Sequence, residues 1–162
     1  QLSKKKREEL YKEIVQHAVS YKIIFVSAKE VDESNIYSVT QEAMKEALLS
    51  LDIKPEYALI DFMPIKDIDI PTKSITHGDA LSASIAAASI LAKVSRDEYM
   101  AKMDIKYPNY GFKHNMGYAT KMHMESLEKY GPCPIHRKTF YPVSKYFSET
   151  EQLSFDLFSD EE

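Results

Sequence analysis

The stretch 57-YALID-61 decides the fold class, because it is a continuous apolar run that ends in an acid. A run of this kind is typical of an interior strand that is covered on both faces. It is followed by a helix predicted over residues 79–104, whose middle (84-SIAAASILAKVS-95) is unusually rich in Ala and Ser. Because small side chains let a helix lie close against a sheet, the two segments together indicate an α/β fold.

Further elements are predicted on both sides of this pair. Helical spacing of the apolar residues predicts helices over residues 3–20, 35–51 and about 119–130. Short β-branched or apolar segments predict strands over residues 22–27 and near residues 74–76. Two or three strands are few for four or five helices, so we expect that part of the sheet is missing from this chain.

The composition is that of one folded domain followed by an acidic tail. The chain has 162 residues, 44% of them hydrophobic, which is enough to bury a core. Its 25 acids and 21 bases give a net charge of −4, but residues 149–162 hold six of the acids and no base. Residues 1–148 therefore carry a charge of +2, so the acidic balance does not exclude a nucleic-acid partner. We expect a domain over residues 1–146 and a flexible tail over residues 147–162.

Simple counts exclude or disfavour several classes of protein. The single cysteine, Cys133, excludes an internal disulfide framework and a cysteine-based zinc site, and it fits a reducing compartment such as the cytoplasm. No apolar run approaches the roughly 20 residues that a membrane span needs, so we expect no membrane partner. A Gly-rich phosphate loop is missing too, which disfavours an unrelated nucleotide-binding domain.

Asp61 and Asp97 are the candidate catalytic and metal-binding residues. Asp61 ends the predicted strand, at the edge where ligands bind in open α/β sheets, although it could instead cap the next turn. Asp97 lies three residues after Val94, near the apolar face of the long helix, where a carboxylate needs a counter-charge or a metal. An ordinary surface pair with Lys93 or Arg96 is the alternative. Carboxylates are preferred ligands of Mg²⁺ and Mn²⁺, but two acids are too few to hold two ions.

The central and C-terminal segments resemble bacterial ribonuclease HII. The resemblance covers roughly residues 1–145 and rests on a series of ordered blocks. These blocks are LSKKKREEL (2–10), GDA (78–80), SIAAASILAKVSRD (84–97), YGF (110–112), GYAT (117–120), GP (131–132), HR (136–137) and FYPV (140–143).

The resemblance implies a ribonuclease H-like mixed sheet flanked by helices. It implies a monomeric endonuclease of DNA repair that cleaves the RNA strand of RNA/DNA hybrids and single ribonucleotides embedded in duplex DNA. Four carboxylates of the family bind two Mg²⁺ or Mn²⁺ ions, and Asp61 and Asp97 match the third and the fourth.

The first two carboxylates of the family form an Asp-Glu pair on the first strand of its sheet, and no segment of this chain matches that strand. With a Gly-Arg-Gly loop and the N-terminal strands of the sheet, the pair belongs upstream of the segment that this chain matches. We therefore expect these 162 residues to be inactive on their own. The rival reading is a non-catalytic fragment that only binds a hybrid duplex or a clamp.

Three positions depart from the family pattern. Phe62 follows Asp61 where the family usually has Gly, so a bulky side chain is expected beside the metal ligand. Leu81 stands where Lys is usual, so one phosphate contact is expected to be lost. Ala119 replaces a common Gly.

Five further residues are candidate substrate contacts. Tyr118 matches the family tyrosine that packs on the sugar at the RNA–DNA junction; its alternative is a core position at a helix start. Ser82 and Ser84 are candidate phosphate contacts, or caps of a helix. His136 and Arg137 either bind phosphate or tie the C-terminal segment to the sheet.

The acidic tail carries a candidate partner-binding peptide. Residues 152–158 (QLSFDLF) place two aromatic and two aliphatic side chains behind a glutamine. They resemble the short peptides with which bacterial replication and repair proteins bind the DNA sliding clamp. The candidate contacts are Gln152, Leu153, Phe155, Leu157 and Phe158. The alternative is a turn or strand that docks on the protein itself.

Overall fold

The structure is a computed structural model that describes residues 2–147. Its helices are α1 (Lys4–His17), α2 (Ala28–Glu33), α3 (Ile36–Leu49), α4 (Gly78–Leu81), α5 (Ala83–Lys106), α6 (Phe112–Asn115) and α7 (Lys121–Tyr130), with a 3₁₀ helix at Pro108–Tyr110. Its strands are β1 (Ala58–Asp61) and β2 (Thr72–Ile75). The expected α/β class is confirmed.

The chain divides into two compact units. The first comprises the described residues up to Phe25 together with Ile36–Tyr99, and it contains both strands. The second comprises Val26–Asn35 together with the described residues from Met100 onward. Helix α5 is continuous from one unit into the other.

Two of the predicted helices begin at polar residues that cap them. The Ser3 hydroxyl oxygen accepts a hydrogen bond from the Lys6 amide at 3.3 Å, which satisfies one of the free N–H groups at the start of α1. The Thr120 hydroxyl does the same for the His123 amide at the start of α7, also at 3.3 Å. Helix α3 occupies most of the predicted range 35–51.

The sheet consists of β1 and β2, which pair in parallel within the described residues. Asp61 lies opposite Ile75 in the register, so the strands end side by side. Ala58 and Ile60 are buried, whereas Leu59 between them is 40% exposed. The expectation that both faces of β1 are covered is therefore wrong in the described part of the chain.

Residues 22–27 form no strand, so that prediction is wrong. Strand residues need a neighbouring strand for their N–H and C=O groups, and within residues 2–147 the only paired strands are β1 and β2. The exposed Phe25 instead packs its ring against Tyr99, with the ring centroids 5.6 Å apart.

The single helix predicted over residues 79–104 is interrupted at Ser82. This residue has extended backbone angles (φ −129°, ψ 125°), so it separates the one-turn helix α4 from α5. The Ser82 side-chain oxygen then accepts a hydrogen bond from the Ile85 amide at 3.5 Å, in the first turn of α5. The capping role considered for Ser82 thus fits its geometry.

Each unit has its own apolar interior. In the first unit, the most deeply buried aliphatic residues are Ala58, Ile60, Ile65, Ile70, Ile85, Leu91 and Val94. In the second unit, Phe112 is 1% exposed and stacks on Tyr110 with the ring centroids 5.3 Å apart. The buried Asn115 donates a hydrogen bond to the Tyr110 carbonyl at 2.7 Å, which ties the glycine-containing loop to this core.

Helix α2, which the sequence does not predict, holds a loop of the second unit through Asp32. The Asp32 carboxylate accepts hydrogen bonds from the Lys138 amide (2.6 Å), the Thr139 amide (3.1 Å) and the Thr139 hydroxyl (2.5 Å). Burial alone would raise the pKa of Asp32, but these hydrogen bonds and the charge of Arg137 lower it below its ordinary value.

We expect Asp32→Ala to lower the free energy of unfolding by about 1–2 kcal/mol at pH 7, because the backbone donors of the loop lose their acceptor. The folded pKa is depressed, so this stabilisation is present above the unfolded pKa and is lost as the pH falls through the folded value. Urea unfolding followed by circular dichroism at several pH values measures the difference between the two proteins.

The control is Asp32→Asn, which keeps one acceptor oxygen but has no carboxylate to titrate. Its stability relative to Asp32→Ala should not change between neutral and acidic pH. Equal stability of the wild type and Asp32→Ala at pH 7 would contradict the role given to this carboxylate.

Candidate active site

Asp61 lies at the C-terminal end of β1, where parallel strands of α/β proteins present their ligands. The Gly78 amide donates a hydrogen bond to Asp61 Oδ1 at 2.8 Å, and the side chain is half-buried. One carboxylate oxygen is thus held by the first residue of α4. This fixes the orientation of the carboxylate at the edge of the sheet.

The approach of Gly78 to Asp61 leaves no room for a side chain. A Cβ on Gly78 would lie 2.6 Å from Ile85 Cδ1, 3.2 Å from Asp61 Oδ1 and 3.4 Å from Asp61 Cα. Glycine at this position therefore follows from packing rather than from an unusual backbone angle. The GDA block includes this glycine, so the sequence marks the position but not its contact with Asp61.

Phe62, directly after Asp61, has a backbone φ of 60°. This left-handed region favours glycine and is costly for a bulky residue. The Phe62 amide still donates to the Ile75 carbonyl at 2.9 Å, and the side chain is 67% exposed. The ring therefore projects toward solvent while the backbone continues the strand pairing by one residue.

Asp97 forms an ion pair with Arg7 of α1. Arg7 Nη2 lies 3.5 Å from Asp97 Oδ2, and the two side chains are 26% and 20% exposed, respectively. Arg7 Nη1 also donates to the Leu2 carbonyl at 2.9 Å. The helix face predicted for Asp97 is confirmed, since Val94 is buried, and the counter-charge comes from a helix 90 residues earlier in the sequence.

The donors in the described part of the chain do not make a complete metal site. Among residues 2–147, no group of three or more His, Cys, Asp or Glu side chains is placed to hold a metal ion. The Asp61 carboxylate is held by an amide and the Asp97 carboxylate by a guanidinium.

The other predicted site residues fall into both units. Ser82 and Ser84 precede and begin α5 in the first unit, where Ser82 is half-buried and Ser84 is exposed. Tyr118, His136 and Arg137 belong to the second unit. Whether any of them contacts substrate stays a prediction.

Tyr118 lies in the loop between α6 and α7 and exposes 68% of its surface. This exposure disfavours the alternative of a core tyrosine. Its amide donates to the Asn115 carbonyl at 2.8 Å, and its carbonyl accepts from the Thr120 amide at 2.8 Å. The backbone is thus fixed while the ring is presented at the surface.

His136 is engaged inside the second unit rather than at its surface. Its Nε2 lies 3.1 Å from His123 Nε2, and its Nδ1 accepts from the Cys133 amide at 3.0 Å. These partners belong to the second unit, whereas both strands belong to the first, so these contacts match neither the phosphate contact nor the tie to the sheet. Arg137 places its guanidinium carbon 5.1 Å from the centre of the Phe140 ring. Sequence reasoning missed the contacts of the His123 ring. The spacing from Thr120 signals only the hydrogen bond of the His123 amide at the helix start.

The residues of the predicted clamp-binding peptide, 152–158, lie outside the described residues. In the described part of the chain, no helix combines the length and the apolar run that crossing a membrane would require.

The parallel strand pair, the surrounding helices and the carboxylate at the strand ends define an α/β protein with an acidic site at the carboxyl edge of its sheet. The comparisons with known proteins narrow this class. The family model described as ribonuclease HII matches residues 1–143. The chain belongs to the ribonuclease HII family.

Individual relatives agree with this assignment. A ribonuclease HII from Acholeplasma laidlawii is 51% identical over 148 residues, which are 91% of this chain and 72% of that protein. One from Oceanobacillus iheyensis is 46% identical over 149 residues, 92% of this chain and 57% of that protein. The chain therefore spans less than two thirds of the length of some of these relatives.

Solved structures of archaeal proteins share the fold. The crystal structure of ribonuclease H2 from Pyrococcus horikoshii matches with a TM-score of 0.74 and 28% identity, covering 90% of this chain and 76% of that chain. The ribonuclease HII in a complex with PCNA from Archaeoglobus fulgidus matches with a TM-score of 0.72 and 25% identity, covering 86% and 75%.

We expect Gly78→Ala to destabilise the protein by about 1–3 kcal/mol, because the added methyl group meets Ile85 Cδ1 and the Asp61 carboxylate. Thermal unfolding followed by circular dichroism measures the loss. Ile85→Val removes the nearest atom, Cδ1, and by itself should cost about 0.5–1.5 kcal/mol.

The matched control is the double variant Gly78→Ala/Ile85→Val. Its destabilisation should be smaller than the sum of the two single effects, because the closest contact is gone. Strictly additive losses would contradict the packing explanation for Gly78.

Proposed function

We propose that this sequence forms part of the catalytic domain of a metal-dependent endoribonuclease. The substrates are the RNA strand of RNA/DNA hybrids and single ribonucleotides embedded in duplex DNA, and the products of hydrolysis carry 5′-phosphates. We propose that residues 1–162 by themselves bind such a duplex but do not cleave it.

The proposal rests on the Asp61 carboxylate, held at the carboxyl edge of the sheet by the Gly78 amide in a chain of this family. The hydrogen bond uses one oxygen of the carboxylate, which leaves the other for a ligand. A preset carboxylate is suited to a metal-dependent reaction, since no reorganisation is needed when the cation arrives. Asp97 is already paired with the positive charge of Arg7, so the binding of a divalent cation calls for further acidic groups.

We propose Mg²⁺ or Mn²⁺ as the cofactor, bound as two ions once the Asp-Glu pair of the family is present. Asp61 and Asp97 would each supply one carboxylate ligand. Such ions stabilise the negative charge that develops during phosphodiester hydrolysis. Hard carboxylate oxygens suit these two cations, and the half-buried free Cys133 fits a cytoplasmic protein.

Substrate recognition is proposed for residues of both units. The exposed ring of Tyr118 would stack on the sugar at the RNA–DNA junction, where the 2′-hydroxyl distinguishes RNA from DNA. Arg137, Ser82 and Ser84 are the proposed phosphate contacts. Of the five predicted contacts, His136 has the weakest case, because its ring nitrogens are engaged within the protein.

We expect residues 1–162 alone to leave a DNA duplex with one ribonucleotide uncut in Mn²⁺, since the described donors do not complete a metal site. A fusion of this chain to the segment of the Acholeplasma laidlawii relative that carries the Asp-Glu pair should cleave on the 5′ side of the ribonucleotide. Gel electrophoresis of the end-labelled strand measures both reactions.

Asp61→Asn in the fusion is the control, and it should abolish cleavage while leaving thermal stability close to that of the parent fusion. Cleavage by residues 1–162 alone would disprove their inactivity. Wild-type cleavage by the Asp61→Asn fusion would disprove the role of Asp61. A well-folded fusion that binds the duplex but never cuts it would favour the rival function, a binding fragment.

A second proposal concerns the tail. We propose that Gln152, Leu153, Phe155, Leu157 and Phe158 bind the DNA sliding clamp, because these anchors stand in a short acidic segment. The archaeal neighbour whose structure was solved with PCNA supports a clamp partner for this family by analogy.

A synthetic peptide of residues 149–162 is expected to bind a bacterial sliding clamp with micromolar affinity, measured by isothermal titration. Phe155, Leu157 and Phe158 are the proposed anchors, so their joint replacement by Ala in a control peptide should remove binding. No heat of binding at high micromolar peptide would eliminate the clamp proposal and leave the nuclease proposal intact.

A further inference from the structure

The second unit contains a buried pair of histidines that the proposed function does not use. His123 lies in the first turn of α7 and is 7% exposed, and His136 is half-buried in the loop after α7. Their Nε2 atoms are 3.1 Å apart, which is hydrogen-bond distance. A polar pair in an aromatic interior is costly unless every ring nitrogen has a partner.

Each of the other two ring nitrogens has a backbone partner. His123 Nδ1 lies 2.9 Å from the Tyr118 carbonyl, and His136 Nδ1 lies 3.0 Å from the Cys133 amide. The rings are enclosed by Phe112, edge-on to His123 at 5.4 Å, and by Tyr110, whose ring centre is 5.2 Å from that of His136. The pair is therefore a continuous chain of hydrogen bonds.

The partners determine which nitrogens carry hydrogen. A carbonyl can only accept, so His123 Nδ1 must donate to Tyr118. An amide can only donate, so His136 Nδ1 accepts from Cys133 and its hydrogen is on Nε2, which donates to His123 Nε2. The Cys133 carbonyl, at 3.3 Å, would require the hydrogen on Nδ1 and leave two acceptors facing each other. Burial and then the nearby His123 lower the pKa of His136, which favours a neutral His136 ring.

This chain of hydrogen bonds ends at the backbone carbonyl of Tyr118. The residues before Tyr118, Met116 and Gly117, both have positive φ angles (51° and 78°), and the Tyr118 amide donates to the carbonyl of Asn115, the last residue of α6, at 2.8 Å. The Tyr118 carbonyl accepts from the Thr120 amide and from His123 Nδ1. Thr120 is exposed, whereas His123 lies in the core, so His123 is the more rigid support of the Tyr118 carbonyl.

We propose that His123 and His136 are positioning residues for Tyr118, holding its backbone so that the ring is preset to meet the sugar at an RNA–DNA junction. This inference rests on the proposed contact of Tyr118 with substrate. Neither histidine touches the duplex. Together they reduce the conformational entropy that Tyr118 would otherwise lose on binding the duplex.

Fluorescence anisotropy with a labelled DNA duplex that carries one ribonucleotide tests the inference on the full 162-residue chain. His123→Leu should weaken binding about tenfold, nearly as much as Tyr118→Ala, because one buried hydrogen bond to Tyr118 is lost. His123→Asn should restore most of the affinity, since the Asn amide nitrogen takes the place of Nδ1. Tyr118→Ala/His123→Leu should bind no worse than Tyr118→Ala.

Nuclear magnetic resonance of the ¹⁵N-labelled chain gives a readout that does not depend on the duplex. Long-range ¹H–¹⁵N spectra at pH 7 should show the hydrogen on Nδ1 of His123 and on Nε2 of His136. The Tyr118 amide signal should move in His123→Leu and return in His123→Asn. If His123→Leu does not fold, His136→Leu and its conservative partner His136→Gln test the same chain from its other end.

The outcomes separate the two proposals. Wild-type affinity of His123→Leu, or equal weakening by His123→Leu and His123→Asn, overturns the positioning role while the Tyr118 contact stands. Additive losses in the double variant overturn it as well. No binding by the wild type, or no effect of Tyr118→Ala, overturns the proposed substrate contact. In that case the nuclear magnetic resonance spectra still decide whether the histidines hold Tyr118, and the opposite tautomers would rule that out.

Discussion

The hydrogen bond from the Gly78 amide to the Asp61 carboxylate links the sheet to the candidate site. Parallel pairing sets Ile75 opposite Asp61, so only Thr76 and His77 separate the end of β2 from Gly78. His77 turns the chain with left-handed backbone angles (φ 56°, ψ 37°), and α4 then begins beside β1. The carboxylate is thus oriented by a two-residue turn and a glycine that tolerates the close approach, rather than by other charged groups.

Asp97 is held by a different kind of interaction. A carboxylate on the inner face of a helix needs compensation, and Arg7 supplies a positive charge at 3.5 Å. The Arg7 and Asp97 side chains are only 26% and 20% exposed, so the pair is partly desolvated and its net contribution to stability is modest. The pair also holds Asp97 beside the start of α1, because the same guanidinium donates a hydrogen bond to the Leu2 carbonyl.

The parts of the fold that sequence predicts are those set by neighbouring residues. Ser3 caps α1 because the cap and its partner are three residues apart, and the apolar run before Asp61 forms β1 because its partner strand β2 follows after a short connection. Residues 22–27 have the composition of a strand but no strand pairs with them in the described part of the chain. The break at Ser82 and the Arg7 partner of Asp97 depend on contacts across the fold, which local patterns do not contain.

The histidine pair illustrates why a polar group can be preferred in an apolar interior. Leucine at the position of His123 would fill space beside Phe112, but it could not direct a hydrogen bond at a chosen carbonyl. A lone histidine would leave Nε2 unpaired and costly, whereas His136 satisfies it and is in turn satisfied by the Cys133 amide. The free-energy cost of burying one donor for Tyr118 is therefore offset along the whole chain of hydrogen bonds, which the side chain of His136 completes.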